Sequence, residues 1–405
     1  MSKLHPVFTS FILTKVVKKI KYLLEIFLKR SIRRIAIKND VVKVTYFNSG
    51  AKLRLFNLDL HIGVIRDLKQ EICRRQNLDL TSWSISSHNG LVRKVLNIPD
   101  PVKSVNNKTW DKLNSVLKDE FINEYRRFLE NFDGFVVTHT PSFVQLFEDF
   151  EKPILVVNST RYEAPYSNDI VGWNSLNLSL MRLNDSKLLH IGSNNLGDQA
   201  YLQKYSGIES ALVPSVCDYL IPGGGSESPI GLIFARSKEL QNKIEKITQG
   251  NFTNTYDRFV SYDEIFKASY IVVFPQNIST MFLFEMATLG KTVLVPDADF
   301  MKGLASSESG VLSELSYFQI HGLKTEHLSE GDMNNYTSKH FYDGWMKFAD
   351  FYQRDLMPNV VFFSDFSELS NLKGVEPLKK SKLLHRNLTL SENRSRFISN
   401  FIDSV

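Results

Sequence analysis

The sequence predicts an α/β molecule made of two doubly wound, Rossmann-like domains that face a cleft. Three observations predict it. Residues 134–158 and 262–296 each carry strand–connection–strand units, with apolar runs too short for helices and too continuous for half-exposed strands. Between them, 219–229 (YLIPGGGSESP) is the best linker in the chain, with three consecutive glycines. At 405 residues, 43% hydrophobic and 23% charged, the chain can fill two cores and is neither disordered nor fibrous.

The first segment, 1–38, stands apart by charge. It carries ten Lys/Arg against Glu25 alone, so it holds +9 and the other 367 residues sum to −4 of the net +5. Basicity this local argues against a nucleic-acid-binding body. Val16, Ile20, Leu23 and Phe27, with Leu24 and Leu28, recur at helical spacing, while Lys15, Lys18, Lys19, Lys29, Arg30, Arg33 and Arg34 crowd other angles. The longest uncharged run, 4–14, has 11 residues and contains Pro6, well short of the roughly 20 needed to span a bilayer. No small-residue cleavage site follows it. Residues 7–37 are therefore expected to form a basic amphipathic helix on an anionic membrane surface; the plainer alternative is a helix packed on the protein's own body.

Residues 39–218 read as an N-terminal acceptor domain. Its expected strands are 41–47, closed by Asn48-Ser49-Gly50, then 82–86, 134–138, 153–158, 188–191 and 211–214. Helices are expected over 60–73, 119–131 and 141–150, the last opened by Pro141. Residues 219–340 read as a second domain: strand 230–234, helix 238–249 stopped by Gly250, strand 270–274, helix 281–289 stopped by Gly290, and strand 292–296. Residues 341–405 form an extension, helical over 341–354, strand-like over 360–363, with a terminal helix over 388–402. Cys73 and Cys217 show neither metal spacing nor disulfide density, which suits a reducing compartment. A glycan on Asn277-Ile278-Ser279 would block the site described next, so a cytoplasmic, peripherally membrane-bound protein is expected.

The chemistry concentrates at 270–296. After the strand, Ser279 or Thr280 supplies an N-cap for an apolar helix whose first amides and dipole can face phosphate at the sheet's carboxyl edge. Glu285 lies about a turn and a half inside, leaning back so that its carboxylate can meet a diol. Strand, short loop, Ser/Thr, helix with a central Glu, A-x-x-G-K-x-V and strand together resemble the nucleotide-sugar site of GT-B-fold glycosyltransferases over about 35 residues. That resemblance implies helix amides on the diphosphate, Glu285 on the ribose, and a C-terminal helix that crosses back to the first half. Many retaining members have a second Glu eight residues earlier; here Asn277 stands there.

On the donor side, Arg236 follows strand 230–234 and can pair the diphosphate, with Ser279, Thr280 and the Met281 amide completing the cradle and Asn277 on a sugar hydroxyl. His139, just past a buried strand, is the leading general base, with a pKa suited to a sugar hydroxyl. Glu163 competes for that role, with Arg161 steering an anionic acceptor or leaving phosphate; the two can equally be an internal ion pair. Asn194, Asn195 and Ser215 follow later strand ends and are expected on the substrate side. His61, Asp67 and His88 are weaker candidates. Asp297-Ala298-Asp299 looks like the D-x-D of the other main glycosyltransferase fold, but reads more simply as a solvated loop, so no metal and no cofactor are expected. No G-x-G-x-x-G, P-loop, zinc or G-x-S-x-G pattern occurs.

The expected activity is transfer of a sugar from a nucleotide donor to a glycan or lipid-linked hydroxyl. The alternatives are an epimerase, a glycerophospho- or pyruvyl-transferase, or a non-catalytic membrane-docked partner in polysaccharide assembly. The expectation fails if the helix head at Ser279 packs against protein or if Glu285 points to bulk solvent.

Overall fold

The computed structural model describes residues 53–60, 62–75, 77–85, 102, 104–106, 108–220, 228–372 and 380–405. The basic segment 7–37, the strand expected over 41–47, His61, His88 and most of the glycine linker lie outside the described residues.

In chain order the regular elements are β1 (Leu53–Asp59), α1 (Ile62–Cys73), β2 (Leu78–Ser84), α2 (Ser115–Leu129), β3 (Gly134–His139), β4 (Ile154–Asn158), α3 (Ile170–Asp185), β5 (Leu189–Ser193), α4 (Leu196–Ser206) and β6 (Ala211–Leu212). There follow β7 (Gly231–Phe234), α5 (Lys238–Ile247), β8 (Phe252–Asn254), α6 (Tyr262–Lys267), β9 (Ile271–Val273), α7 (Met281–Thr288), β10 (Val293–Pro296), α8 (Ala298–Ser307), α9 (Tyr317–His321), α10 (Phe341–Met346), β11 (Val360–Phe363) and α11 (Lys380–Ile402). They form two parallel sheets, ordered β2-β1-β3-β4-β5-β6 and β11-β10-β9-β7-β8. In each, the chain reverses direction across the sheet once, between β1 and β3 and between β7 and β9. In open parallel sheets such reversals open a crevice at the carboxyl ends of the strands.

The centre of each sheet explains its sequence. Phe135, Val136 and Val137 of β3, Ile154–Val157 of β4, and Ile271, Val272, Val293 and Val295 in the second sheet are buried on both faces. Residues 141–150 do not form the α-helix expected of them. Every residue from Pro141 to Leu146 is buried, leaving no polar face for an amphipathic helix, and the segment winds as two 3₁₀ turns, Pro141–Leu146 and Glu148–Phe150. The second sheet runs past residue 340, because β11 pairs with β10; the stretch set apart as an extension therefore supplies one of its strands.

The terminal helix starts at Lys380, earlier than 388, and bridges both halves. Leu383 packs near Gly290, and the Arg386 guanidinium lies 5.5 Å from the Phe284 ring of α7. Further on, Ile398 and Phe401 join Leu55, Val136 and Leu155 of the first sheet in one apolar cluster. Arg394 is buried there and pairs with Asp67 at 2.8 Å, while Asp67 also accepts the Val216 and Cys217 amides at 3.2 and 2.7 Å. Asp67, a weak site candidate by sequence, thus ties the terminal helix to the chain between the two sheets. No helix among the described residues is long and apolar enough to cross a membrane.

Candidate active site

The two carboxyl edges meet through residues that follow β4, β5 and β9. After β4 the chain turns through Ser159, Thr160 and Arg161. Arg161 is buried, donates from Nε to the Leu315 carbonyl at 2.7 Å and from Nη2 to Asn277 Oδ1 at 3.1 Å, and pairs through Nη1 with Asp198. Its guanidinium lies 4.3 Å from the Trp345 ring. Thr160 and Tyr317 hydroxyls sit 3.3 Å apart. At the head of α4, a Cβ placed on Gly197 would come within 2.1 Å of Ile278 Cδ1, so glycine there lets the loop after β9 dock. The cleft is therefore closed on this side by a polar, well-packed seam.

Arg161 is accordingly an interdomain tie in this structure, because all three guanidinium nitrogens are committed to protein. Asn277 is its acceptor across the seam, and also accepts the Ile278 amide at 2.9 Å. Asn195 and Asp198 belong to the same cluster. Asn195 caps α4 by accepting the Asp198 amide at 2.8 Å and donates to Asp198 Oδ2 at 2.6 Å. Asn194 accepts a 3.3 Å hydrogen bond from Ser215, away from this cluster.

Glu163 is completely buried, so it does not line an open cleft. Its Oε1 accepts Tyr201 OH at 2.7 Å, and Tyr201 OH accepts Asn334 Nδ2 at 2.9 Å. Oε2 has no hydrogen-bond partner among the described residues. Burial pushes the carboxyl up to about 7, against the opposing pull of the Tyr201 hydrogen bond and of Arg161. A second buried carboxyl, Asp350, stands next to the α7 loop, its amide bonded to the Ile278 carbonyl at 2.9 Å. Burial raises it to about 8. Sequence reasoning missed Asp350, Asp198, Tyr201, Asn334 and Trp345, since nothing local marks a residue whose partner lies across the seam.

His139 occupies the reversal point of the first sheet, at the end of β3. Its backbone is left-handed, with φ of 85°, a conformation costly for a residue with a Cβ. The residue is partly exposed, and its Nδ1 is 3.5 Å from Ser159 Oγ. Beside it, Thr138 donates to buried Asp59 at the end of β1, at 3.0 Å.

At the reversal point of the second sheet stand Arg236 and the head of α7. Arg236 is about half exposed and pairs with Glu314. Ser279, Thr280 and Met281 are partly buried. Thr280 takes the N-cap position without a side-chain capping hydrogen bond, whereas Ser237, Ser261 and Asp297 each cap their helices. Asp297, the first acid of the D-x-D, accepts the Phe300 amide at 2.9 Å as the cap of α8. Among the described residues no cluster of His, Cys, Asp or Glu could hold a metal ion. Glu285 is half-buried; its Oε1 accepts both Tyr219 and Tyr262 hydroxyls, at 2.6 and 2.7 Å, and the Arg66 guanidinium of α1 lies 4.1 Å from the Tyr219 ring. The carboxylate is therefore fixed by protein and does not point to bulk solvent. The helix head gives a divided result: Ile278 is buried against the first half, while residues 279–282 keep part of their surface open.

Two doubly wound parallel sheets thus meet carboxyl edge to carboxyl edge, with a terminal helix shared between them. The architecture is GT-B-like. No family model matches the chain, and no curated protein does. Solved structures align over most of its length. A glycotransferase of kitacinnamycin is 7% identical with a TM-score of 0.44, covering 85% of this chain and 95% of that one. The spinosyn rhamnosyltransferase SpnG is 10% identical at 0.39, covering 86% and 99%. A UDP-GlcNAc 2-epimerase from Neisseria meningitidis bound to UDP-GlcNAc is 11% identical at 0.44, covering 86% and 99%. Likeness at this level carries no argument about the reaction, which rests on the residues of this chain.

Proposed function

We propose that the chain is a GT-B-type glycosyltransferase that moves a sugar from a nucleotide-diphosphate or CMP donor to a hydroxyl of a glycan or lipid-linked acceptor. The observation that carries this reading is the head of α7, whose cap residue makes no side-chain bond to it, at the reversal point of the second sheet. Free amides and a positive dipole end at that place suit an anionic leaving group.

The donor's phosphates would lie against Ser279, Thr280 and the Met281 amide. Arg236, turned from Glu314, would add a forked cation. Glu285, oriented by Tyr219 and Tyr262, would take the ribose hydroxyls, and Asn277 a sugar hydroxyl. The acceptor oxygen attacks the anomeric carbon, the bond from that carbon to the phosphate oxygen breaks, and its electron pair stays on the phosphate. His139, partly exposed at the opposite reversal point, would take the acceptor's proton. Charge on the leaving group would be met by amides and Arg236 and not by a metal, so EDTA should leave turnover unchanged. Residues 7–37 would hold the protein on the cytoplasmic face of an anionic membrane; flotation with acidic liposomes should be lost on deleting 1–38.

The decisive experiment is a thermal-shift screen of nucleotide diphosphates, CMP and their sugars, followed by mass spectrometry of the product. A stabilising nucleotide and a sugar-mass increment on the acceptor are expected. No nucleotide response, or a phosphate- or pyruvyl-mass increment, overturns the reading.

A further inference from the structure

We propose that Arg161 is a positioning residue: anchored by Asp198 on its own half, it grips Asn277 across the seam and thereby holds the head of α7 in phosphate-binding register. The inference rests on the nucleotide reading above and says how that site is kept in shape.

The loop between β9 and α7 is tied to its own half through backbone carbonyls, with Pro275, Gln276 and Ile278 accepting the Leu312, Glu314 and Asp350 amides at 2.9, 2.8 and 2.9 Å. Its head residue, Thr280, makes no capping bond. Asn277 is instead met from the first half by Arg161 Nη2 at 3.1 Å, while the same Asn oxygen accepts the Ile278 amide at 2.9 Å. One carboxamide therefore links the foreign cation to the turn immediately before the helix. Arg161 cannot swing freely, since Asp198 holds Nη1, the Leu315 carbonyl holds Nε, and Trp345 lies under its plane. Asp198 is itself fixed at the head of α4 by Asn195. Ile278 packs on Gly197 of that same helix. A rigid chain of contacts thus runs from the first sheet into the loop whose amides must meet phosphate, and a small displacement there moves those amides directly.

A buried arginine of this kind is usually read as cement for the fold. The two roles part when the phosphate and nucleoside portions of a ligand are measured separately. A structural tie lost would weaken both or neither; a lost positioning contact weakens only the phosphate part.

The test uses the full chain and the best-binding of UDP, TDP, GDP and CMP from the thermal screen, alongside its bare nucleoside, with affinities by calorimetry. Arg161→Met strands Asp198 without its cation, so Asn277→Ser, which leaves that pair intact, is the gentler companion. For both variants the phosphorylated ligand should bind about tenfold more weakly while the nucleoside is unaffected, and amide hydrogen exchange over 277–282 should quicken. Equal losses for both ligands, or none, with unchanged exchange, overturn the inference. If the wild-type chain binds no nucleotide at all, the functional reading fails by itself; faster exchange over 277–282 in Asn277→Ser then still supports the tie to the loop, and unchanged exchange removes it.

Discussion

A histidine with φ of 85° is a place where the fold tolerates local strain, and strain of this kind costs on the order of 1–3 kcal/mol. His139 holds that conformation at the reversal point of the first sheet, where a proton acceptor would be useful. Glycine relieves the strain and alanine does not. His139→Gly should therefore unfold later than His139→Ala, by about 1 kcal/mol in denaturant titrations, while both lose roughly 10²–10⁴-fold in transfer rate. If His139→Ala transfers sugar normally, the base lies elsewhere. Glu285 makes a second case at this scale. Two phenol hydroxyls on one of its oxygens fix the carboxylate before any ligand arrives. Glu285→Gln keeps an acceptor for both phenols, so thermal stability should change little. Nucleotide affinity should fall about tenfold, because a charged acceptor contributes roughly twice what a neutral one does. Unchanged affinities for UDP, GDP and CMP by calorimetry would remove the ribose assignment.

At the scale of elements, the seam depends on how closely α4 approaches the loop before α7. Gly197 has no Cβ, and one added there would lie 2.1 Å from Ile278, which is itself fully buried and has nowhere to retreat. Gly197→Ala should cost about 1–3 kcal/mol by overpacking and weaken nucleotide binding at the same time; a stabilised variant would contradict the packing. The sequence made the central strands legible because burial on both faces leaves unbroken apolar runs, as in β3, β4 and β10. It concealed β1, whose run is interrupted by Asn57 and Asp59. Both are buried, with Ser82, Thr138 and the Val136 carbonyl satisfying them, an arrangement visible only once strands are paired. It concealed α3 for the opposite reason, since Ile170, Val171, Leu178 and Met181 are exposed and blur its periodicity. The site was legible at the strand ends and the α7 corner. Local pattern leaves Arg161 open between a ligand contact and an ion pair with Glu163, because its partners Asp198 and Asn277 lie 37 and 116 residues away.

At the scale of the whole molecule, the stability of the seam depends on protons. Glu163 and Asp350 are both fully buried at the meeting of the two halves, raised to about 7 and about 8 chiefly by loss of water. Around them stand Asp198 and Arg161, with Tyr201 on Glu163 and Arg386 towards Asp350. With both acids protonated, Asp198 and Arg161 balance one another; ionising them adds two negative charges in a dry place. A carboxyl raised in the folded state binds its proton more tightly there than in the unfolded chain. Its favourable contribution is complete below the ordinary carboxylate range and declines as pH climbs through 7 and 8. Stability should therefore fall between about pH 4 and 8, by about 1.4 kcal/mol for each tenfold by which the fold tightens proton binding. Paired substitution Glu163→Gln with Asp350→Asn keeps shape and removes the ionisation, so the stability profile should flatten across that range. The double variant should also gain most over the parent near pH 8, because there the parent alone must hold two ionised carboxylates out of water, against which Arg161, Arg386 and the Ser279 hydrogen bond to Asp350 offset only part of the cost. Denaturant titrations from pH 4 to 9 read this directly, and a parent profile that matches the double variant's would show that the two acids titrate as ordinary, hydrated carboxylates.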